Sequence, residues 1–349
     1  MKIYKSLLII FFFIFIKDEN VLSDESIFNI NNIDIVKKSN LSSEQLANQA
    51  LKKGFAKLIN KILLAEDIKK ISNLQLNEIK DLVSYYQVSS EDIDYKKNNK
   101  ILYKISFDRE KLHNLFFIKN ISYSEILDKE IFILPLFLSK GQLLIFNKNY
   151  FYNNWLDKAE NELIDFALPL ESIEILQSIN LNKENLLDLE LNSLFAEYPK
   201  KNIALIIIDN NNPKEGKVYL KMKIMSKNID KTISIKREDP KEEIFYLNLI
   251  DRVSKEIINI IKSQNLIDVR TPSFLNARLT ISKRNNLFEL KKRLKNNELV
   301  DSIYIQEFNK NYMLIKLKYL GKLDKMINQL ETQKIILKLS NEEWQIKIL

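Results

Sequence analysis

The chain of 349 residues contains no cysteine and only four glycines. Without cysteine, disulfides, thiolate nucleophiles and cysteine-ligated zinc or iron–sulfur sites are excluded. The glycines Gly54, Gly141, Gly216 and Gly321 lie far apart. The dinucleotide-binding fingerprint and the P-loop both need clustered glycines, because the backbone must approach a phosphate closely. The sequence therefore excludes both common routes to nucleotide binding.

Histidine occurs once, at His113, beside the apolar residues Leu112, Leu115 and Phe116 of a predicted helix. A catalytic or metal-binding role would need a positioned nucleophile or a second ligand, and the sequence displays neither. We interpret His113 as a packing or surface residue. We predict no catalytic, cofactor-binding or metal-binding residue and no cofactor.

Arginine is also scarce, because 47 of the 54 basic residues are lysine and seven are arginine. The formal net charge is +8. Surfaces that bind nucleic acid are usually localised and bear arginine, whereas lysine is spread along this whole chain. We predict no nucleic-acid partner.

Residues 1–23 have the pattern of an export signal. Lys2 and Lys5 precede the 11-residue segment Ser6–Ile16, which is unbroken apolar sequence from Leu7 onward, and a polar segment begins at Lys17. The apolar run is too short to span a bilayer comfortably and has the length of a signal-peptide core. We predict cleavage after Ser23 and a periplasmic location. The alternative is an uncleaved signal that anchors the protein in the inner membrane through residues 6–16, the one membrane contact that the sequence predicts.

The apolar run Glu130–Leu138 is the centre of the predicted fold. It is too short for a typical helix, so we predict a strand that is buried on both faces in the middle of a sheet. Pro135 cannot donate to a strand ladder, and we therefore expect regular pairing to stop near Leu134.

Local signals predict several other elements. Ser42 and Gln45 match a capping box, which predicts that a helix begins there. The segments Tyr85–Tyr95 and Ile101–Phe107 predict a hairpin, and Lys183–Tyr198 predicts one continuous helix.

From Leu275 the sequence alternates strands and helices in the order βαββαβ, which is typical of a ferredoxin-like unit, and a final short strand is predicted at Gln345–Ile348. Its first helix, Asn286–Lys295, is basic on the side opposite Leu287, Leu290 and Leu294. Such a helix can lie on anionic lipid or nucleic acid, but a solvated outer helix has the same pattern, and we favour the solvated helix.

We predict an α+β protein with two small α/β sandwich-like units with mixed sheets, followed by the C-terminal ferredoxin-like βαββαβ unit. The predicted boundaries are the signal peptide 1–23, an N-terminal α+β unit 24–122, a central α/β unit 123–268 and the ferredoxin-like unit 269–349.

Four aromatic residues form a dense patch: Tyr150, Phe151, Tyr152 and Trp155. Such a patch can stack on sugars or bases, or anchor a protein interface. Because no arginine is interleaved, we favour packing in a core or a domain interface, with an interaction patch as the alternative.

Several segments together resemble domain-of-unknown-function family 2066, found in exported proteins of Gram-negative bacteria. The residues that carry the resemblance are Ala47, Ala50, Phe55–Leu58, Ile105–Asp108, Leu112, Leu115, Ile133–Leu136, Trp155, Val300, Gly321–Leu330 and Trp344. The central unit is also similar to the amino-terminal domain of the Tol-system beta-propeller protein. This chain departs from the family in its loops, where asparagine and lysine replace the expected glycine and arginine. The resemblance implies no catalytic residues.

The sequence therefore predicts a non-enzymatic adaptor or assembly factor of the cell envelope, whose partners are envelope proteins. The alternative is a carboxylate-based hydrolase acting on cell-wall glycan. A pair of aspartate or glutamate residues is sufficient for glycoside hydrolysis and leaves no spacing motif in a sequence.

Overall fold

The computed structural model describes residues 26–37, 40–89, 100–126, 128–159, 163–212, 214–238, 241–281, 286–295, 297–340 and 342–349. The predicted signal peptide lies outside these ranges. Within them, no helix is both long enough and apolar enough to cross a membrane.

The chain forms two compact units. Unit 1 contains the described residues up to Ile62 together with Glu66–Tyr123 and Ile267–Leu349, and unit 2 contains Leu63–Ala65 and Ser124–Leu266. The sequence-based boundaries differ from this division, because the segments predicted as the first and third units both belong to unit 1.

Polar contacts between the two segments of unit 1 account for this difference. The Ser26 hydroxyl donates to the Glu298 carboxylate at 2.6 Å. The Arg109 guanidinium donates to the backbone carbonyls of Asn297 at 3.1 Å and Glu298 at 2.9 Å. An arginine that satisfies backbone carbonyls of a distant segment joins the two parts, and no pattern within either segment indicates such a pairing.

The first segment of unit 1 packs helices on an antiparallel sheet. Its elements are β1 (Asn29–Val36), α1 (Ser43–Ile62), α2 (Ala65–Ile71), α3 (Leu76–Asp81), β2 (Val83–Ser89), β3 (Lys100–Phe107) and α4 (Arg109–Lys119). The strand order is β1-β3-β2. The predicted capping box is confirmed. The backbone N–H of Gln45 donates to Ser42 Oγ at 3.2 Å, and the backbone N–H of Ser42 donates to Gln45 Oε1 at 2.8 Å. The hairpin is confirmed over β2 and β3, and residues 90–95 of its predicted first strand lie outside the described residues.

Unit 2 is built on a mixed sheet with the path order β10-β9-β8-β5-β6, and β7 also pairs with β5. The short strands β4 (Tyr123–Ser124) and β11 (Leu266–Ile267) each begin in one unit and end in the other. The elements of unit 2 between them are β5 (Glu130–Ser139), β6 (Gln142–Leu144), α5 (Tyr150–Lys158), β7 (Asp165–Ala167), α6 (Ile173–Leu181), α7 (Leu191–Leu194), β8 (Asn202–Asp209), β9 (Glu215–Ile224), β10 (Lys227–Lys236) and α8 (Glu242–Gln264). The predicted buried strand is confirmed as β5. Ile131 and Ile133 enter the apolar cluster on one face of the sheet, and Leu134 and Leu136 enter the cluster on the other.

The expectation that pairing stops near Leu134 is wrong. Strand β5 pairs in parallel with β8 from Ile131 to Leu138, and this ladder includes Pro135 opposite Ile206. On its other side β5 pairs with β7 only at residues 130–132 and with β6 only at residues 137–139. The Pro135 carbonyl accepts a hydrogen bond at 2.8 Å from the side-chain amide of Asn149, the residue that precedes helix α5. The proline nitrogen, which carries no hydrogen, therefore faces the gap between β7 and β6, where no strand hydrogen bond is lost.

The predicted helix Lys183–Tyr198 is also wrong as one element. The segment contains a 3₁₀ turn at Leu186–Asp188 and the short helix α7. Between them Leu189 and Glu190 have ψ angles of 127° and 117°. These angles lie in the extended region, so the backbone leaves the helix between the two turns.

The second segment of unit 1 contains β12 (Ser273–Thr280), α9 (Asn286–Leu294), β13 (Val300–Phe308), β14 (Tyr312–Tyr319), α10 (Leu323–Thr332), β15 (Ile335–Ser340) and β16 (Glu343–Ile348). The predicted βαββαβ order is present, and the α+β class is confirmed. The sheet order is β13-β14-β12-β16-β15, with β16 parallel to β12 and antiparallel to β15. A fifth strand thus lies between the first and the fourth strand of the ferredoxin-like order.

Candidate functional site

Strand β2 is an open edge of the three-stranded sheet, since β3 is its only neighbour among the described strands. Its seven residues, VSYYQVS, include no charged residue and no proline. Natural proteins usually protect edge strands with charges, prolines, bulges or short length, because unpaired backbone groups recruit another strand. Only a register shift between Val83 and Tyr85 interrupts β2.

The other edge strands of the described sheets are better protected. Strand β1 carries Asp34, and strands β10, β13 and β15 each contain charged residues. Strand β6 has three residues. Asp34 makes ion pairs with Lys53 and Lys100, and hydrogen bonds from these two lysines lower its pKa to about 2. A stable negative charge on β1 disfavours strand addition there, and β2 has no equivalent.

Helix α1 covers β1 and β3. A methyl group at Gly54 would lie 2.7 Å from Ile105 Cδ1 and 2.8 Å from Ile33 Cδ1, so the helix backbone closely approaches both strands. Tyr86 and Val88 of β2 are paired with Ile105 and Tyr103 and therefore point to the same face of the sheet. Tyr86 is nonetheless 48% exposed and Val88 55% exposed. The helix leaves the inner face of β2 accessible.

A groove of about 560 Å³ lies between α1 and β2 and is hereafter called the β2 groove. It is lined by Glu44, Ala47, Asn48 and Leu51 of α1, by Lys80, and by Val83, Ser84, Tyr85 and Tyr86. Ala47 and Leu51 are buried, and Glu44 and Lys80 form an ion pair of 3.9 Å. Burial, together with the nearby Tyr86, raises the pKa of the neighbouring Tyr103 phenol, so that ring stays neutral. The β2 groove combines apolar side chains with a backbone edge that no described strand pairs, as a site for an extended peptide requires.

A second groove, of about 460 Å³, lies in unit 2 and is lined in part by Asp128, Lys200, Lys201, Asn202 and Lys223. Lys201 is paired with Glu130, and Lys223 donates to Asn192 Oδ1 at 3.0 Å. The Asn202 side chain accepts from the Met225 amide at 3.0 Å and donates to Asp128 at 3.1 Å. These polar groups already bind one another, so this groove is a weaker candidate than the β2 groove.

The four aromatic residues singled out in the sequence do not form one surface. Phe151 and Trp155 are completely buried in the apolar cluster of unit 2. Tyr150 packs on Tyr246 with the ring centroids 5.1 Å apart, and the Tyr152 hydroxyl donates to the Pro169 carbonyl at 2.8 Å. The side chains of Phe151 and Trp155 are inaccessible to a ligand and are part of the core.

His113 packs between aromatic rings of unit 1. Its ring stacks on Tyr123 at a centroid distance of 5.3 Å and meets Phe28 edge to face at 5.8 Å. Its Nε2 atom lies 3.2 Å from the Tyr123 hydroxyl. Burial, with a smaller contribution from Arg109, lowers the pKa of His113 to about 4. The interpretation as a packing residue is confirmed.

The carboxylate chemistry of the hydrolase alternative needs two acidic groups in one cleft, one of them with a raised pKa. The β2 groove holds one carboxylate, Glu44, and the groove of unit 2 holds one, Asp128. The pKa values of the carboxyl groups of Asp34, Asp268, Glu289 and Asp301 are all shifted downward, the direction opposite to that of a general acid. No cluster of three or more metal-binding side chains is found among the same residues.

One lysine with a strongly shifted pKa, Lys262, has a structural role. Burial lowers its pKa to about 8, and its ammonium group donates to the Leu63 carbonyl at 2.9 Å. A buried cation that binds a backbone carbonyl fastens the chain and leaves no free nucleophile in a cleft.

Sequence reasoning missed the β2 groove and the buried Asn149. The signal for the β2 edge was the absence of charge over residues 83–89, which acquires meaning only when the strand order is known. Asn149 bonds Pro135 and caps α5, and a single asparagine among many gives no distinctive pattern.

Comparisons with known proteins give little help. No protein-family model matches the chain, and no curated protein matches it. One solved structure, described as the crystal structure of an uncharacterized protein, is 7% identical, covers 40% of this chain and 95% of its own, and superposes with a TM-score of 0.19. A superposition of that quality assigns neither a fold nor a function.

Proposed function

We propose that the protein is an exported, non-enzymatic adaptor or assembly factor of the cell envelope, which binds an extended segment of a partner protein at strand β2. The observation that carries the proposal is the uncharged, unpaired edge of β2 beside the β2 groove. The export signal predicted at residues 1–23 and the resemblance of the sequence to family 2066 support the envelope location.

Strand addition explains why this site suits a peptide better than a small molecule. Backbone groups of an added strand would bond the free edge, and every second side chain would point into the β2 groove. Those side chains would meet Tyr86, Val88 and Leu51, so apolar residues at alternate positions are favoured. The Glu44–Lys80 pair at the groove carries both signs of charge, and this favours a partner segment of low net charge.

The test is a matched pair of lysine substitutions. Val88→Lys places a charge on the open edge, where it should block strand addition. Val36→Lys is the control, because Val36 ends β1 in the same sheet and is 50% exposed against 55% for Val88. Both variants should unfold at nearly the same temperature as the parent protein, since neither side chain is buried.

A photo-crosslinking residue at Tyr86 identifies the partner in envelope extracts, and hydrogen exchange of the purified complex then follows the β2 amides. We expect an envelope protein at the crosslink, slower exchange over residues 83–89 in the complex, and loss of binding in Val88→Lys but not in Val36→Lys. Equal binding by the two variants, or crosslinks to cytoplasmic ribosomal or nucleic-acid partners alone, would overturn the proposal.

A further inference from the structure

Helix α9 of unit 1 presents an exposed aromatic ring on its basic side. Its inner side is apolar as predicted, with Leu290 and Leu294 buried. Phe288 points the other way and is 70% exposed. A single exposed apolar side chain is common on protein surfaces, so the residues around Phe288 decide what this ring can do.

Three lysines surround this ring. Lys291, Lys292 and Lys295 follow Phe288 by three, four and seven residues, the spacings that bring side chains to one face of an α-helix. The Lys295 amide donates to the Lys291 carbonyl at 3.0 Å, so the helical path continues to Lys295. All three lysines are exposed. We call Phe288 and these three lysines the α9 face.

The acidic residue of the helix does not neutralise the α9 face. Glu289 accepts from Arg293 at 2.8 Å, and Arg293 also donates to the Lys334 carbonyl at 2.9 Å. Arg293, with smaller contributions from nearby charges including Lys292, lowers the pKa of Glu289. The Glu289–Arg293 pair therefore lies beside the α9 face, whose own side chains carry only positive charge.

We propose that the α9 face docks on an anionic lipid surface, with Phe288 entering the boundary between headgroups and acyl chains and the three lysines lying among the lipid phosphates. An aromatic residue flanked by lysines matches that boundary, because the ring is buried in the apolar layer while the ammonium groups stay at the headgroups. A nucleic acid fits less well, since lysine lacks the planar fork that reads base edges. This contact is distinct from the anchor at residues 6–16, which is the alternative to cleavage of the signal.

The experiment places a fluorescent reporter within the α9 face, so that the emission reports contact between this face and lipid and not contact of the apolar run at residues 6–16. Phe288→Trp keeps an aromatic ring at the centre of the face, and the parent protein with Trp155 and Trp344 supplies the background. With vesicles containing phosphatidylglycerol, the new tryptophan should shift its emission to shorter wavelength and be quenched by brominated acyl chains. Vesicles of phosphatidylcholine alone should give no change, and high salt should reverse the effect by screening the lysines.

Charge variants in the Phe288→Trp protein complete the test. Replacing Lys291, Lys292 and Lys295 by Gln should weaken binding about 100-fold, or about fivefold for each lysine near an anionic surface. The matched control replaces Lys310, Lys338 and Lys347, which are exposed residues of the same unit. Lys338 and Lys347 alternate with the buried Leu337 and Ile346 and so lie on the opposite face of the sheet, and this control should bind like its parent.

Three outcomes would overturn the inference. They are an unchanged emission with anionic vesicles at low salt, equal losses in the two triple variants, and a response to single-stranded oligonucleotides in place of vesicles.

Discussion

Asn149 fastens helix α5 to the central strand of unit 2 and is completely buried. Its amide nitrogen donates to the Pro135 carbonyl at 2.8 Å, and its Oδ1 atom accepts from the Phe151 amide at 2.9 Å. One side chain thus caps the helix and satisfies the carbonyl that faces the gap between β7 and β6.

Asn149→Ala removes both hydrogen bonds. Loss of the cap costs about 1 kcal/mol. The buried Pro135 carbonyl is then left without its donor, which adds about 1–3 kcal/mol. We expect the free energy of unfolding of unit 2 to fall by about 2–4 kcal/mol in total. Asn149→Ser retains a capping oxygen and should lose only the second part.

Asn149→Asp separates the two functions through pH. A carboxylate can cap α5 but cannot donate a hydrogen bond to the Pro135 carbonyl. Its buried negative charge would also lie next to that carbonyl oxygen. The new carboxyl group should have a raised folded-state pKa, because only its protonated form can donate. The variant should therefore be least stable at neutral pH and should regain stability as pH falls through the raised folded-state pKa toward the ordinary pKa of about 4.

The assay is urea unfolding followed by fluorescence. The chain has two tryptophans, Trp155 in unit 2 and Trp344 in unit 1, so a Trp344→Phe background leaves Trp155 as the reporter of unit 2. Asn153→Ala is the control, because Asn153 lies in the same helix and its side chain donates to the Asn147 carbonyl in an exposed position. It should change stability by no more than about 0.5 kcal/mol. Equal costs for the two alanine variants, or an Asn149→Asp penalty that does not depend on pH, would refute the role assigned to Asn149.

Two further predictions concern pH and export. His113 stays neutral down to a pKa of about 4 in the folded state, whereas the unfolded chain takes up its proton near pH 6.5. Unit 1 should therefore lose up to about 3 kcal/mol as pH falls from 6.5 to 4, and His113→Gln should flatten this profile. The measurement is urea unfolding followed by Trp344 fluorescence in a Trp155→Phe background. If the stability of His113→Gln falls with pH as steeply as that of the parent, other groups cause the effect. Asp34 is not one of them, because its contribution is lost at lower pH, between 3.8 and about 2. Carbonate extraction of membranes with N-terminal sequencing should recover a soluble species beginning near Asp24, and a carbonate-resistant chain that keeps residues 6–16 would establish the anchored alternative.

Elements whose signals are local were predictable from the sequence. The Ser42 and Gln45 capping box closes on itself within four residues, and the continuous apolar run of β5 indicates burial on both faces. The tolerance for Pro135 was not predictable, because it depends on where β6 and β7 end along β5. Three segments that are distant in sequence decide that outcome.

The sequence also did not indicate which strands are neighbours in a sheet. The final strand was predicted at Gln345–Ile348, but its alternation is the same whether it lies at an edge or between β12 and β15, so its place in the sheet was not predictable. The leucines of Lys183–Tyr198 have helical spacing, yet Leu189 and Glu190 adopt extended backbone angles and the leucines are buried without a continuous helix. Tertiary packing overrode propensity there.

The same limit explains why aromatic density was a poor guide to the candidate site. In unit 2 the aromatic residues Phe151 and Trp155 are covered by their own sheet and helices, and its long edge strand β10 carries lysines. In unit 1 the exposed rings of Tyr86 and Phe288 lie where α1 stops short of β2 and where α9 faces outward. Exposure is set by the covering element, which the composition of a segment does not reveal. Both proposed binding surfaces lie in unit 1, so Val88→Lys and substitutions in the α9 face should leave the urea unfolding of unit 2, followed by Trp155, unchanged.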